Sequence, residues 1–368
     1  MGRVISTESV CATTSTTGPK PAPVEAYVLE CAEPAADRAG IEHFWTEHFT
    51  ADSRRFPCYF NNPSEPGAIW VLRTESGNIV GTGGLHTNRL LIDGRSHRAG
   101  HAVNLAIDPR YRTAGPAVQL QRAVLEHARR SGHSLVCGVT DRAAGVQLRA
   151  GYKRIGTIEQ WVKVLRTERT LQKHLKLRAL SRCAAIGLDF GLWAVSPEAR
   201  HRRPSGWQVE LPENFDDRFD RLWDRAAPQF PIATVRSSEF LEWRFRDCCD
   251  DHFQILGLCD VNRELAGYVI YRQQGPTVQL SDLLFARPQD LDILIIETLR
   301  HLRRLQPAVH TVYMPYFGNN LISTALRNNG FLQRPDQNQL LAWTNEAQLP
   351  LATLRDPQRW FLTAADIL

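Results

Sequence analysis

At 368 residues the chain exceeds one ordinary compact domain, so two domains are the expectation. A hydrophobic share of 43% against 23% charged residues excludes a mostly disordered chain. The formal net charge of +5 suits an anionic cofactor or substrate and, without a concentrated patch, is too weak to indicate nucleic acid.

Residues 1–23 are rich in Ser, Thr and Pro and carry too little apolar surface for a core, so they read as a disordered leader. Residues 24–31 then read as a strand, and 35–49 as an amphipathic helix with Ile41, Phe44, Trp45 and Phe49 on one side. Strands are expected at 68–73 and 78–90, joined by a hairpin turn at Gly77 and Asn78, and at 101–107, ended by Asp108 and Pro109. In 117–130 the residues Ala117, Leu120, Val124, Leu125 and Ala128 keep helical spacing until Ser131 and Gly132 stop the run. A buried strand at 135–140, a short helix at 142–149 and a strand at 151–165 complete this half.

Residues 166–206 read as a connector made cationic by Arg166, Arg169, Lys173, Lys176, Arg178 and Arg182. It is a solvated helical linker or, in a sharper reading, a basic surface for an anionic substrate or for peripheral contact with membrane lipid. From Trp207 the coarse order repeats: a strand at 208–211, a helix at 215–226, and a meander at 253–259, 265–272 and 277–285. A helix at 291–305, a strand at 309–314, a helix at 321–328 and a last strand from Phe331 follow, and a repeat at this scale suggests duplication of one fold. The expected units are thus 1–23, 24–165, 166–206 and 207–368.

The eight cysteines (Cys11, Cys31, Cys58, Cys137, Cys183, Cys248, Cys249 and Cys259) form no CxxC pair and no Cys/His spacing suited to zinc. They read as free thiols in a reducing compartment, and no metal is expected. No stretch resembles a secretion signal. The apolar run 184–195 is short and interrupted by Asp189, so no transmembrane span is expected and a cytoplasmic location is the default.

The segment most informative about chemistry is 105–128, where a strand runs into Asp108-Pro109, then the turn Arg112-Thr113-Ala114-Gly115-Pro116-Ala117, then a helix. Main-chain amides at a helix N-terminus, with a flanking Arg, make an anion site, and the small residues Ala114, Gly115 and Ala117 allow close approach. This segment resembles the acyl-CoA-binding motif of the GNAT acyltransferase superfamily: Gln or Arg, two residues of any kind, Gly, any residue, then Gly or Ala. Arg112, Gly115 and Ala117 meet that pattern, and the Leu-Ala-Ile-Asp-Pro approach and the Ala-Gly-Tyr ending at Tyr152 fall in family order. The resemblance covers 24–165 well and 207–344 in outline.

The resemblance implies an α/β fold of two tandem GNAT-like domains, each a mixed, mostly antiparallel sheet flanked by helices. It implies an acyl-CoA-dependent N-acyltransferase using acetyl-CoA or another acyl-CoA. Main-chain groups at Leu105 and Ile107 would hold the pantetheine arm, and the amides of Thr113 to Ala117 the pyrophosphate, although Pro116 has no N–H to donate. The family's usual base position falls on His101, with His86 the weaker alternative, and Gln147 stands where a tyrosine usually protonates the leaving thiolate. The second half lacks the phosphate loop and is expected to bind the acceptor, with Asp282 as a contact for an amino group. The acceptor is expected to be a primary amine of a small molecule: an amino sugar of a polysaccharide precursor, or an amino acid. A non-catalytic CoA-binding sensor and an aminoacyl-tRNA-dependent transferase are the alternatives. Nucleic acid is not expected as a partner under the leading reading.

Overall fold

The computed structural model describes residues 25–49, 56–112, 115–167, 187–191, 193–202, 205–248, 252–305 and 309–367. The expected leader, most of the connector, and Thr113 and Ala114 of the motif loop lie outside the described residues.

The first half runs β1 (Tyr27–Cys31), α1 (Pro34–His48), a short helix Phe56–Phe60, β2 (Ala68–Thr74), β3 (Ile79–Ile92), β4 (Arg95–Ile107), α2 (Pro116–Arg130), β5 (Leu135–Thr140), α3 (Ala144–Ala150), β6 (Lys153–Thr157) and β7 (Glu159–Val164). Helix α1 buries Ile41, Phe44 and Trp45 against Ile69 and Val71 of β2. Gly77 turns the β2–β3 hairpin at φ +87°, a conformation that costs glycine little. Strands β3 and β4 are one long hairpin rather than a strand ending at 90 and another starting at 101. Asp93 and Gly94, at φ +49° and +75°, make the two-residue turn, with Ile92 paired to Arg95.

The second half runs β8 (Gln208–Glu210), α4 (Asp217–Ala226), β9 (Ile232–Thr234), a helix Ser238–Glu242 passing into a π-helical turn Trp243–Asp247, and the meander β10 (Gln254–Cys259), β11 (Leu265–Gln274) and β12 (Thr277–Phe285). Then come α5 (Pro288–Leu305), β13 (Thr311–Gly318), α6 (Asn320–Asn328), β14 (Leu332–Arg334), β15 (Gln339–Thr344), β16 (Trp360–Thr363) and a 3-10 turn Ala364–Asp366. The meander–helix–strand–helix order of β2 to α3 therefore recurs in β10 to α6.

Among the described residues all the strands join one sheet of 16, most of it antiparallel, ordered β6-β15-β5-β4-β3-β9-β16-β13-β12-β11-β10-β8, with β1–β2 branching from β3 and β7–β14 from β13. The expected units 24–165 and 207–368 exchange strands. β15, from the end of the chain, lies between β5 and β6, pairing Leu341 with Gly138 and with Arg154. β7 leaves its own half to run antiparallel to β13, with Val162 opposite Tyr313. The strand expected over 151–165 is broken at Ile158, whose buried side chain and N–H bond to Asn338 O mark the crossing point. One apolar cluster consequently mixes the halves, joining Leu90, Ala99 and Leu135 to Phe317, Leu340 and Trp360.

Candidate functional site

The site begins where β4 and β5 part. They pair in parallel only through Ala99–Leu135, Gly100–Val136 and His101–Cys137, and beyond His101 the two strands separate. The parting coincides with a bulge in β4: the register against β3 shifts between Thr82 and Gly84, and Asn104 takes φ +51°. Asparagine tolerates this left-handed conformation better than most side-chain-bearing residues. The bulge is locked from the α1 side. Trp45 Nε1 donates to Thr82 Oγ1 at 3.0 Å, and Thr82 Oγ1 donates to Asn104 O at 2.9 Å.

Two glutamines flank the gap. Gln121 of α2 is fully buried, and its Nε2 stands 3.9 Å from where a Cβ on Gly83 would lie, beside the bulge. Gln147 of α3 rests on Gly138, the first β5 residue past the last β4 pair, so closely that a Cβ there would come 2.3 Å from its amide nitrogen. Both Gln121 amide atoms and Gln147 Oε1 are buried without a hydrogen-bond partner among the described residues. A buried amide left without partners costs about 1–3 kcal/mol, so these groups suit a ligand that brings amides of its own into the gap.

At the far end of β4, Arg112 Nε donates to Ile107 O at 3.0 Å, laying the guanidinium across the strand end. Leu105 is half-buried and Ile107 buried. Gly115 is exposed, and α2 starts at Pro116, one residue earlier than its apolar spacing predicts. The first backbone bond described in this turn runs from Gln119 N–H to Gly115 O; helix geometry leaves the N–H groups of the first turn, that of Ala117 among them, available to an anion.

On the other side of the bulge, Asn104 and Val103 line a cavity of about 290 Å³ closed by both halves. His86 and Cys58 contribute from the first half and Gln160 from β7. Arg244, Arg272, Gln279 and Tyr313 contribute from the second, and Asp336, Asn338 and Ile367 from the loop before β15 and the tail. Arg272 Nε donates to Gln279 Oε1 at 2.9 Å, and its guanidinium stacks 5.6 Å from the Phe253 centroid. Asp336 Oδ1 accepts from the Gln337 and Asn338 amides at 2.7 and 3.2 Å. Arg244 donates to Ala365 O, Ala364 O and Ile367 O at 2.8, 3.1 and 2.9 Å, fixing the tail as part of the cavity wall.

His101 and His86 sit opposite each other on β4 and β3. His86 faces the main cavity, its ring 5.8 Å from that of Trp243. Burial, helped by the neighbouring His101 and Arg244, pushes it down to about 3. His101 lines a separate small void of about 10 Å³ with Cys137, Thr234 and Asp366. Burial lowers it below its usual value, against a pull upward from Asp366. Both rings are neutral at pH 7.

Asp282 is not among the residues lining the cavity. Fully buried, it pairs with Arg236 Nε at 3.1 Å and accepts from Tyr268 Oη at 2.9 Å and Thr363 Oγ1 at 2.7 Å. Arg236 in turn grips Asp366 at 2.6 Å, so this carboxylate ties β12 to the tail and no longer reads as an acceptor contact. The sequence pointed to the gap but not to Asn104, Gln121, Arg244 or Asp336. A polar residue at 104 inside an apolar strand was the one signal that could have marked the bulge.

Residues 38–155 match the family model described as an acetyltransferase (GNAT) domain. No curated protein matches the chain. A probable N-acyltransferase from Enterococcus faecalis V583, otherwise described as a conserved protein of unknown function, superposes with a TM-score of 0.62 at 11% identity, over 87% of this chain and 72% of that one. A GCN5-related N-acetyltransferase from Anabaena variabilis gives 0.62 at 12% identity, over 86% and 72%. Saccharomyces cerevisiae N-myristoyltransferase with bound myristoyl-CoA gives 0.56 at 10% identity, over 88% and 84%. At such identities the likeness is one of fold. Among the described residues no His, Cys, Asp or Glu grouping is placed to hold a metal, and no helix is long and apolar enough to cross a membrane.

Proposed function

We propose that this chain, a GNAT acyltransferase by its residues 38–155, moves an acyl group from acyl-CoA to a primary amine of a small polar molecule. The observation that carries the reading is Asn104: its bulge opens the gap between β4 and β5 and its side forms a wall of the inter-half cavity. An arm lying in the gap would therefore deliver its thioester to the cavity. The diphosphate would rest on the first turn of α2 at Gly115 and Ala117 beside Arg112. Main-chain groups of β4 from Leu105 to Ile107, and the free amides of Gln121 and Gln147, would meet the pantetheine.

Acyl transfer requires the amine to lose a proton and the tetrahedral oxyanion to find a donor. His86, neutral and on the cavity wall, would accept a hydrogen bond from the incoming amine and orient it, with His101 as its cross-strand partner; burial makes it too weak a base to hold the proton, which leaves to water. Gln147 can donate a hydrogen bond to the departing thiolate but supplies no proton, so water completes that step. The polar wall formed by Gln160, Arg272, Gln279 and Asp336 suits an amino sugar or an amino acid. Gln147 also favours a second reading, in which CoA binds without turnover.

Calorimetric titration with CoA, and thiol release from acetyl-CoA with a panel of amines, test both. The expected result is CoA binding plus amine-dependent release, with His86→Gln keeping CoA affinity within about twofold and losing about 10²-fold in kcat. Binding with no release for any amine supports the second reading. An unchanged kcat in His86→Gln removes the histidine from the mechanism.

A further inference from the structure

We infer that the surface formed by residues 187–191 and 193–202 and the end of α5 docks on a membrane leaflet rich in anionic headgroups. After β7 the described chain resumes with helical residues 187–191 and 193–195, tethered to the body where Asp189 Oδ1 accepts from Thr167 N–H and Oγ1–H at 2.7 and 2.8 Å. This helix turns its apolar residues outward: Leu188 is 52% exposed, Phe190 65%, Trp193 44% and Val195 61%. Elsewhere the large exposed apolar residues, such as Val28, Leu211, Val261 and Leu332, stand far apart in sequence. Four within eight residues make a patch, with the Phe190 and Trp193 rings 5.8 Å apart. Contiguous exposed apolar surface of this kind marks an interaction site.

Charge decides the partner. Trp193 also borders an open hollow of about 690 Å³ lined by Arg166, Arg202, Arg300, Arg303 and Arg304. Its one carboxylate, Glu198, is buried and already paired with Lys163 at 2.8 Å and Arg303 at 3.0 Å. Arg202 and Arg304 are exposed, with no hydrogen bond or ion pair among the described residues. Aromatic and aliphatic side chains beside unpaired arginines are the composition of an interfacial anchor: the rings enter the acyl boundary while the guanidiniums meet phosphate headgroups.

Co-sedimentation of the full chain with phosphatidylglycerol/phosphatidylcholine vesicles, set beside pure phosphatidylcholine, tests this. The expected result is partition onto the anionic vesicles only, weakening as salt rises. Phe190→Asp with Trp193→Asp should abolish it, and Arg304→Glu should lower it at least about fivefold, the effect of one surface charge. All three positions are exposed, so thermal midpoint and thiol-release rate with a soluble amine should not change. Absence of sedimentation would mean that this face does not meet lipid, and would overturn the inference. Equal partition onto both vesicle types, or a double variant that binds as before, would do the same.

Discussion

The two histidines on the hairpin show how one residue type can act differently according to what surrounds it. His86 and His101 were distinguishable in the sequence only by their distance from the motif, which favoured His101. The fold makes His86 the one that faces the cavity between the halves, because Trp243 and much of the cavity wall come from the other half of the chain. Their burial has a consequence for stability. An unfolded imidazole takes a proton below its usual value near 6.5, whereas His86 stays neutral down to about 3 and His133, bonded to Thr87 Oγ1 at 3.1 Å, down to about 4. Between these limits the unfolded chain binds more protons, so stability is full above about 6.5 and falls as the pH drops. Each such histidine removes about 1.4 kcal/mol per pH unit in that window. Urea midpoints measured from pH 7.5 to 4.5 should therefore decline, and His86→Gln should flatten the slope by about one proton's worth. A wild-type midpoint constant over this range would mean that the rings are protonated inside the fold.

At the scale of elements, local pattern carried far. The apolar spacing in 117–130 and the meander in 68–107 placed α2 and most of β2, β3 and β4, since each side's exposure repeats with the period of its element. What escaped was non-local or a single residue deep. The Asp93-Gly94 turn was legible as hairpin chemistry, yet the charged residues around it hid the continuity of β3 into β4. The αL residue Asn104 changes no periodicity at all. The gap it opens depends on Gly138, where only a missing Cβ lets Gln147 lie on β5. Gly138→Ala must displace the glutamine amide, a movable side-chain tip, so the fold should survive with a loss of about 1–3 kcal/mol. CoA affinity should fall about tenfold, the worth of one hydrogen bond to a buried amide. Gly145→Ala, on the exposed side of α3 with nothing within 4 Å, is the control and should leave affinity unchanged. If Gly138→Ala lowers the thermal midpoint but binds CoA as wild type does, Gln147 has no part in the gap.

For the whole molecule the exchanged strands matter most, and they were not readable in advance, because a strand's pattern gives its faces but not its partner. β5 and β6 are adjacent in sequence yet touch only through β15, which arrives about 180 residues later. The same exchange builds the cavity: Gln160 rides on β7 beside Pro315 of β13, and Asn338 precedes β15. Residues 25–165 expressed alone would leave Leu135 to Thr140 as an open apolar edge and expose Cys137 and Ile155, which Leu340 and Ala342 now cover. Residues 207–367 alone would leave β13 without its longest antiparallel neighbour. Each fragment should therefore be insoluble or unfold without a cooperative transition, since exposed strand edges of this kind aggregate. Co-expressed, the two should copurify and bind CoA, and the intact chain should melt in one step. A sharp, reversible transition from either fragment alone would mean that its half folds without the exchange, and that the cavity between the halves is a hinge rather than part of one core.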